Sequence, residues 1–178
     1  ILTASCIGVP VDDAHVIEGI GAAMAFKRRL KEMGIPVAEV HCPPQGVLHL
    51  MVVSVEKGGS EVAARIHNAA QASSRGILVV IIVDHDVDVF NMDQVIHALV
   101  AKCHPQRGIR SSESRYSFSP YNSREEQIAV KGAMMVLDCT WPADWPEETV
   151  HARVTFQEMY PQWLQEKVLR EWPNYGYK

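Results

Sequence analysis

At 178 residues the chain is long enough for one well-packed domain and too short to require two. Apolar residues make up 47% and charged residues 21%, and no segment approaches the ~18 consecutive apolar residues of a membrane span, so the composition is that of a soluble globular chain. A formal net charge of −4 and a pI near 6.1 argue against nucleic-acid or anionic-membrane partners, which need clustered Lys and Arg.

Leu2–Ile7 is a short apolar run that ends at the turn-forming Gly8 and Pro10. Asp12 or Asp13 can cap a helix carrying Val16, Ile17, Ile20, Ala23, Met24 and Leu30 at helical spacing, and Gly34 closes it. Gly19 and Gly21 inside this pattern suit close packing rather than a nucleotide fingerprint, since no GxGxxG, Walker loop or GxSxG occurs. Pro36–His41 reads as a strand, Pro43, Pro44 and Gly46 as a rigid turn, and Val47–Val55 as a second strand rich in β-branched residues. Gly58-Gly59-Ser60 then breaks the chain before an Ala-rich helix from about Glu61 to Ser73.

The block Val79–Asn91, VVIIVDHDVDVFN, is the most informative segment. Its apolar run predicts a strand buried on both faces whose carboxyl end opens at Asp84, followed by an acidic loop and a helix over Met92–Cys103. Asp84, Asp86 and Asp88, with His85 between them, admit two readings. They could supply oxygen ligands to Mg²⁺ or Mn²⁺ at a strand end, where α/β ligand sites often lie. They could equally cap the turn and the following helix by accepting backbone N–H bonds. The spacing resembles an EF-hand opening, but the glycine and terminal Glu of that loop are absent.

From His104 to Lys131 no period of 2 or 3.6 is sustained, and a loop of that length inside a domain is more often functional than idle. Within it Tyr116, Phe118 and Tyr121 interleave with Ser117, Ser119 and Pro120, which either walls a pocket for a planar substrate or pins the loop to the domain. Ala133–Asp138 returns as a strand, Trp141–Glu148 is a proline-bounded turn, and Phe156–Trp172 is a final amphipathic helix. Tyr160, Trp163, Trp172 and Tyr175 give that end more aromatic surface than a solvated helix needs, which suits a domain or subunit boundary, or an ordinary core helix. Alternation of this kind predicts an α/β fold: a three-layer domain with a mixed sheet, a long irregular aromatic loop and a C-terminal helix.

The remaining chemistry-bearing residues are sparse. The eight histidines form no HExxH or HxxxH pattern. Cys6, Cys42, Cys103 and Cys139 are far apart in sequence without a CxxC pair, the pattern of reduced thiols in a cytoplasmic protein. The chain opens at Ile1 without Met or the layout of a signal peptide, and reads as the continuation of a longer polypeptide.

Four segments in order carry a family resemblance: DDAHVIEGIGAAMAFKRRLKEMGIPV, HCPPQGVLHLMVVSVE, IIVDHDVDVFNMDQVIHALVAKCHP with GAMMVLDCTWP, and FQEMYPQWLQEKVLREWPNYGY. Together they resemble the C-terminal part of the UbiD family of decarboxylases, in particular its bacterial hydroxyarylic acid members. The resemblance implies an enzyme that uses prenylated FMN, held with Mn²⁺ and often K⁺, to remove CO₂ reversibly from an aromatic or α,β-unsaturated acid. It also implies that residues 1–178 form a single C-terminal domain and that the flavin-binding domain, with its catalytic Glu and Arg set, lies upstream of Ile1.

On this resemblance no catalytic, cofactor or metal residue falls within the 178, Asp84, Asp86 and Asp88 become scaffold, and the chain alone is expected to be inactive. The substrate side of the pocket would be lined by Ala14 and Glu18 at the start of the first helix and by Tyr116 and Phe118 in the aromatic loop. Glu18 and Tyr116 are more polar than the groups the ferulic-acid branch has there, which implies a phenolic acid of the hydroxybenzoate type. Partners implied are the flavin domain, the aromatic acid and further copies of the chain in a homo-oligomer. The alternatives are a free-standing assembly module without chemistry and a small-molecule binding domain built on the aromatic loop.

Overall fold

The computed structural model describes residues 13–73, 76–114, 123–129, 131–151 and 154–176. It divides into two compact units, residues 1–144 and 145–178. The Leu2–Ile7 run, Asp12 and the rings of Tyr116, Phe118 and Tyr121 lie outside the described residues.

In the first unit, helix α1 (Asp13–Glu32) buries Gly19, Ala22, Ala23, Phe26 and Leu30, which recur on one face at helical spacing. Gly19 is where the helix comes closest to its support: a Cβ there would sit 3.3 Å from Cys42 Sγ, whereas Gly21 faces open space. The helix ends on Gly34 at φ 66°, with the Ile35 amide returning to the Leu30 carbonyl at 3.0 Å. Strand β1 (Val37–His41) runs antiparallel to β2 (Leu50–Val55). The predicted second strand starts three residues late, because residues 44–46 form a 3-10 turn and Val47 and Leu48 carry positive φ.

Helix α2 (Ser60–Gln71) starts from Gly59, whose φ of 113° only glycine adopts without strain. Strand β3 (Val79–Asp84) lies parallel to β2 from Leu50↔Val79 to Val55↔Asp84, and parallel to β5 (Gly132–Cys139) on its other side. Helix α3 (Met92–Lys102) follows β3. The stretch expected to be structureless contains β4 (Ile109–Ser114), antiparallel to β5 at the edge of the sheet, and the short helix α4 (Arg124–Ile128). β4 escapes sequence detection because an edge strand reading Ile-Arg-Ser-Ser-Glu-Ser has little apolar side to show. α4 did carry a signal, the capping box Ser123–Glu126: the Ser123 hydroxyl accepts from the Glu126 amide at 3.1 Å and the Glu126 carboxylate from the Ser123 amide at 2.8 Å.

The sheet order is β1-β2-β3-β5-β4. On one face α1 and α2 close a core that includes Met51, Val53, Val55, Val80, Ile82 and Val136. On the other, α3 covers Val52, Ile81, Val83 and Cys139 with its own Val95 and Ala98. Both faces are therefore covered, and the three-layer α/β expectation holds with a mixed sheet.

The second unit carries helices α5 (Phe156–Met159) and α6 (Gln162–Glu171), not the continuous helix expected. Pro161 divides them: its own ψ of 149° takes the chain out of helix, and its ring disfavours helix in the residue before it. Gln165 bridges the break by donating to the carbonyls of Gln157 at 2.8 Å and Tyr160 at 2.6 Å. No residue of α6 is buried, and Trp163 and Trp172 are exposed, so it is not an ordinary core helix.

Burial on both faces of β3 sets an expected ranking of stabilities. Ile82→Ala, at a side chain 1% exposed, should cost about 2–5 kcal/mol. Ile96→Ala on the outer side of α3, at 49% exposure, should cost under about 0.5 kcal/mol. Urea unfolding of the two variants checks the contrast.

Candidate functional site

The carboxyl ends of the parallel strands are closed by their own side chains. Lys102, at the end of α3, donates to Asp84 Oδ2 at 2.7 Å and lies 5.1 Å from the centre of the Trp141 ring. The Trp141 amide donates to the same carboxylate oxygen at 3.3 Å, tying the ends of β3 and β5 together. Beside them the Thr140 hydroxyl accepts from the Gly59 amide at 2.9 Å and donates to Asp138 Oδ1 at 2.7 Å. Burial pushes the Asp84 carboxyl above its ordinary range, although Lys102 acts in the other direction.

The other aspartates follow from the path of the chain. Phe90 stacks at 4.6 Å on His41, which ends β1 and pairs with Val52, so residues 85–91 run back over the sheet before α3 returns to bring Lys102 to Asp84. Along this return Val87 and Val89 are buried while Asp86 and Asp88 face outward. The segment is two successive turns, closed by the Val87 amide on the Asp84 carbonyl and the Asn91 amide on the Asp88 carbonyl, each at 3.0 Å. Asp88 accepts from the Phe90 amide at 2.9 Å, and Asn91 caps α3 by accepting from the Asp93 and Gln94 amides.

Asp84 is engaged by Lys102 and the Trp141 amide, and Asp88 by the turn before α3. Among the described residues no three His, Cys, Asp or Glu are grouped to hold a metal ion, and every buried side-chain nitrogen and oxygen has a hydrogen-bond partner. These residues do not fit a flavin phosphate with its metal.

Of the predicted pocket residues, Ala14 and Glu18 lie toward the other end of the parallel strands. Gly19 touches Cys42, just past the end of β1, so Ala14 and Glu18 lie within the preceding turn and a half of α1, and both are exposed. The segment bearing Tyr116 and Phe118 leaves β4 after Ser114, which pairs with Gly132 at the start of β5. Both points lie at the amino ends of the parallel strands but at opposite lateral edges of the sheet, with β2, β3 and β5 between them. Tyr116 and Phe118 themselves lie outside the described residues.

Beside Glu18, α1 presents an exposed apolar ridge: Ile17, Ile20 and Met24 are 69%, 60% and 69% exposed. The signal was present in the sequence as a second apolar stripe, out of phase with the Ala22–Phe26–Leu30 face. One helix with two apolar faces packs on its own sheet with one and offers the other.

A family model described as the C-terminal domain of 3-octaprenyl-4-hydroxybenzoate carboxy-lyase matches residues 15–139. The chain belongs to this family, the UbiD carboxy-lyases. Pyrrole-2-carboxylic acid decarboxylase of Pseudomonas aeruginosa is 26% identical over 99% of the chain, and ferulic acid decarboxylase 1 of Saccharomyces cerevisiae is 25% identical over 100% of it. The chain spans 38% of the length of each. Among solved structures, the UbiD-class enzyme HmfF of Pelotomaculum thermopropionicum, in complex with FMN, superposes with a TM-score of 0.69 at 21% identity, over 85% of this chain and 34% of that one. Vanillic acid decarboxylase of Sedimentibacter hydroxybenzoicus in closed form gives 0.68 at 20% identity, over 90% and 33%. At these identities the structures share the UbiD C-terminal fold. No helix among the described residues is long and apolar enough to cross a membrane.

Two outcomes test this geometry. Lys102→Met leaves a largely buried carboxylate without its cation and should cost on the order of 3 kcal/mol at neutral pH. Adding Asp84→Asn should recover most of that loss, read by urea unfolding of the single and double variants. Burial against Phe90 lowers the His41 pKa below 6.5, opposed by Asp88. Between that lowered value and 6.5 the unfolded chain binds more protons, so this group's stabilising contribution is complete above pH 6.5 and is lost as pH falls through the window. NMR titration of His41 should give a midpoint below 6.5, and Phe90→Ala should move it back toward that value.

Proposed function

We propose that residues 1–178 form the C-terminal, substrate-covering and assembly-forming domain of a non-oxidative decarboxylase that acts on a phenolic acid of the hydroxybenzoate type. One observation carries the reading: the solvent-facing side of α1 sets the Glu18 carboxylate in an apolar ridge of Ile17, Ile20 and Met24, toward the amino ends of the parallel strands. A preceding domain would bind prenylated FMN with Mn²⁺ and K⁺, and that cofactor would supply the electron sink for loss of CO₂. The contribution of this chain would be to cover the acid, exclude water and select it, with domain motion opening and closing the site.

Glu18 and Tyr116 are the selecting groups in this reading. A polar group inside an otherwise apolar wall discriminates by the penalty of leaving it unpaired when the substrate lacks the matching hydroxyl. Ala14 and Phe118 would supply the flat apolar remainder. The exposed aromatic surface of α6, with Trp163 and Trp172, supports contact between copies in a homo-oligomer in the cytoplasm. The same surface also suits the rival reading, a free-standing assembly module without chemistry.

Glu18→Ile in the intact enzyme should lower kcat/KM for hydroxybenzoates relative to cinnamates by roughly 10- to 100-fold. An unchanged ratio rejects the selecting role. The intact mass and absorption spectrum of the native polypeptide test the larger reading. A species well above 19.9 kDa with a flavin band supports the decarboxylase, and a colourless species of 19.9 kDa supports the assembly module. The isolated 178-residue chain should show no decarboxylation.

A further inference from the structure

Glycine is the poorest helix former after proline, and α1 carries two in its interior, Gly19 and Gly21. Gly19 is buried, and a Cβ there would stand 3.3 Å from Cys42 Sγ, so close packing just past the end of β1 accounts for it. Gly21 has no such reason. It is exposed, it lies within the helix without a positive φ, and an added Cβ would meet nothing within 4 Å. For the fold of this domain alone, alanine would serve better at that position.

Its neighbours indicate what the bare backbone faces. Positions three and four apart adjoin on a helix surface, so Gly21 is bordered by Ile17 and Glu18 toward the start of α1 and by Met24 and Ala25 toward its end. All four are exposed, Ile17 and Met24 each at 69%. The result is a shallow notch floored by main chain, with apolar borders and one carboxylate at its rim. A purely apolar occupant would leave Glu18 covered without a hydrogen bond, whereas a hydroxylated aromatic ring brings a flat face for the backbone and a donor for the carboxylate.

We propose, resting on the decarboxylase function set out above, that Gly21 is a specificity-determining residue whose missing side chain seats the ring of the phenolic acid against α1, one turn from the Glu18 carboxylate. A Cβ at this position lifts the ring from the helix and lengthens the hydrogen bond from its hydroxyl to Glu18. The loss grows when the ring carries a further group beside that hydroxyl, because the clearance is already used. The same Cβ relieves an uncrowded helix of an interior glycine, so folding and recognition move in opposite directions.

The test compares the intact enzyme with its Gly21→Ala variant by urea unfolding and by steady-state kinetics on 4-hydroxybenzoate and its 3-methoxy derivative. The expected result is a higher urea midpoint, a roughly tenfold lower kcat/KM for 4-hydroxybenzoate that arises mainly in KM, and a larger loss for the methoxy acid. In a Glu18→Ile background, where the hydroxyl contact is gone, Gly21→Ala should cost less than it does alone. A lowered urea midpoint would show that Gly21 serves the fold and would overturn the proposal. So would an unchanged kcat/KM in an active enzyme, an equal loss for both acids, or dissociation of an oligomer with unaltered kinetics, which assigns the notch to a protein partner. An intact wild-type polypeptide that decarboxylates no phenolic acid overturns the function itself, and the role of Gly21 with it.

Discussion

The first unit is organised around a strand with no wet side. β3 places Val80 and Ile82 in one core and Ile81 and Val83 in the other, and its parallel neighbours β2 and β5 occupy both of its hydrogen-bonding edges. A strand so enclosed can change direction only at its ends, where backbone groups lose their ladder partners. At the carboxyl end Asp84 meets that need by receiving Lys102 from the returning helix and the Trp141 amide from the next strand. Two loops and a helix are therefore anchored on one largely buried carboxylate. A charge held there is tolerable because its partners are in place.

Ligands in open α/β sheets commonly sit beyond the carboxyl ends of the strands, but here that space is filled by an ion pair, a threonine–aspartate bond and two thiols. The exposed start of α1 lies toward the amino ends beside β1, and β4 ends toward the same end at the far lateral edge of the sheet. Membership of the UbiD carboxy-lyases accords with a domain whose own side chains are spent on holding shape and presenting a surface. The two apolar faces of α1 express that division: small residues and Phe26 pack inward, while the larger Ile17, Ile20 and Met24 stand outward.

Where sequence reading succeeded, the physics was local. The apolar run of β3, the spacing of α2 and α3, the Asn91 cap and the glycine end of α1 each depend on a few neighbouring residues. Where it fell short, a distant partner decided. β4 has almost no apolar pattern and is a strand because β5 offers it an edge. The last helix is interrupted at Pro161, a residue whose local meaning was plain and was outweighed by the apolar spacing around it.

The sequence by itself determined the fold class, the order of most elements and the family, because hydrophobic period, turn chemistry and ordered segments are properties of the chain as written. Only the tertiary structure decided what the distinctive residues do. Asp84 receives Lys102 from a later helix, and Val87, between Asp86 and Asp88, is buried. Which face of α1 is inside is likewise a matter of non-local packing. Such contacts join residues tens of positions apart, and no pattern within a single segment encodes them.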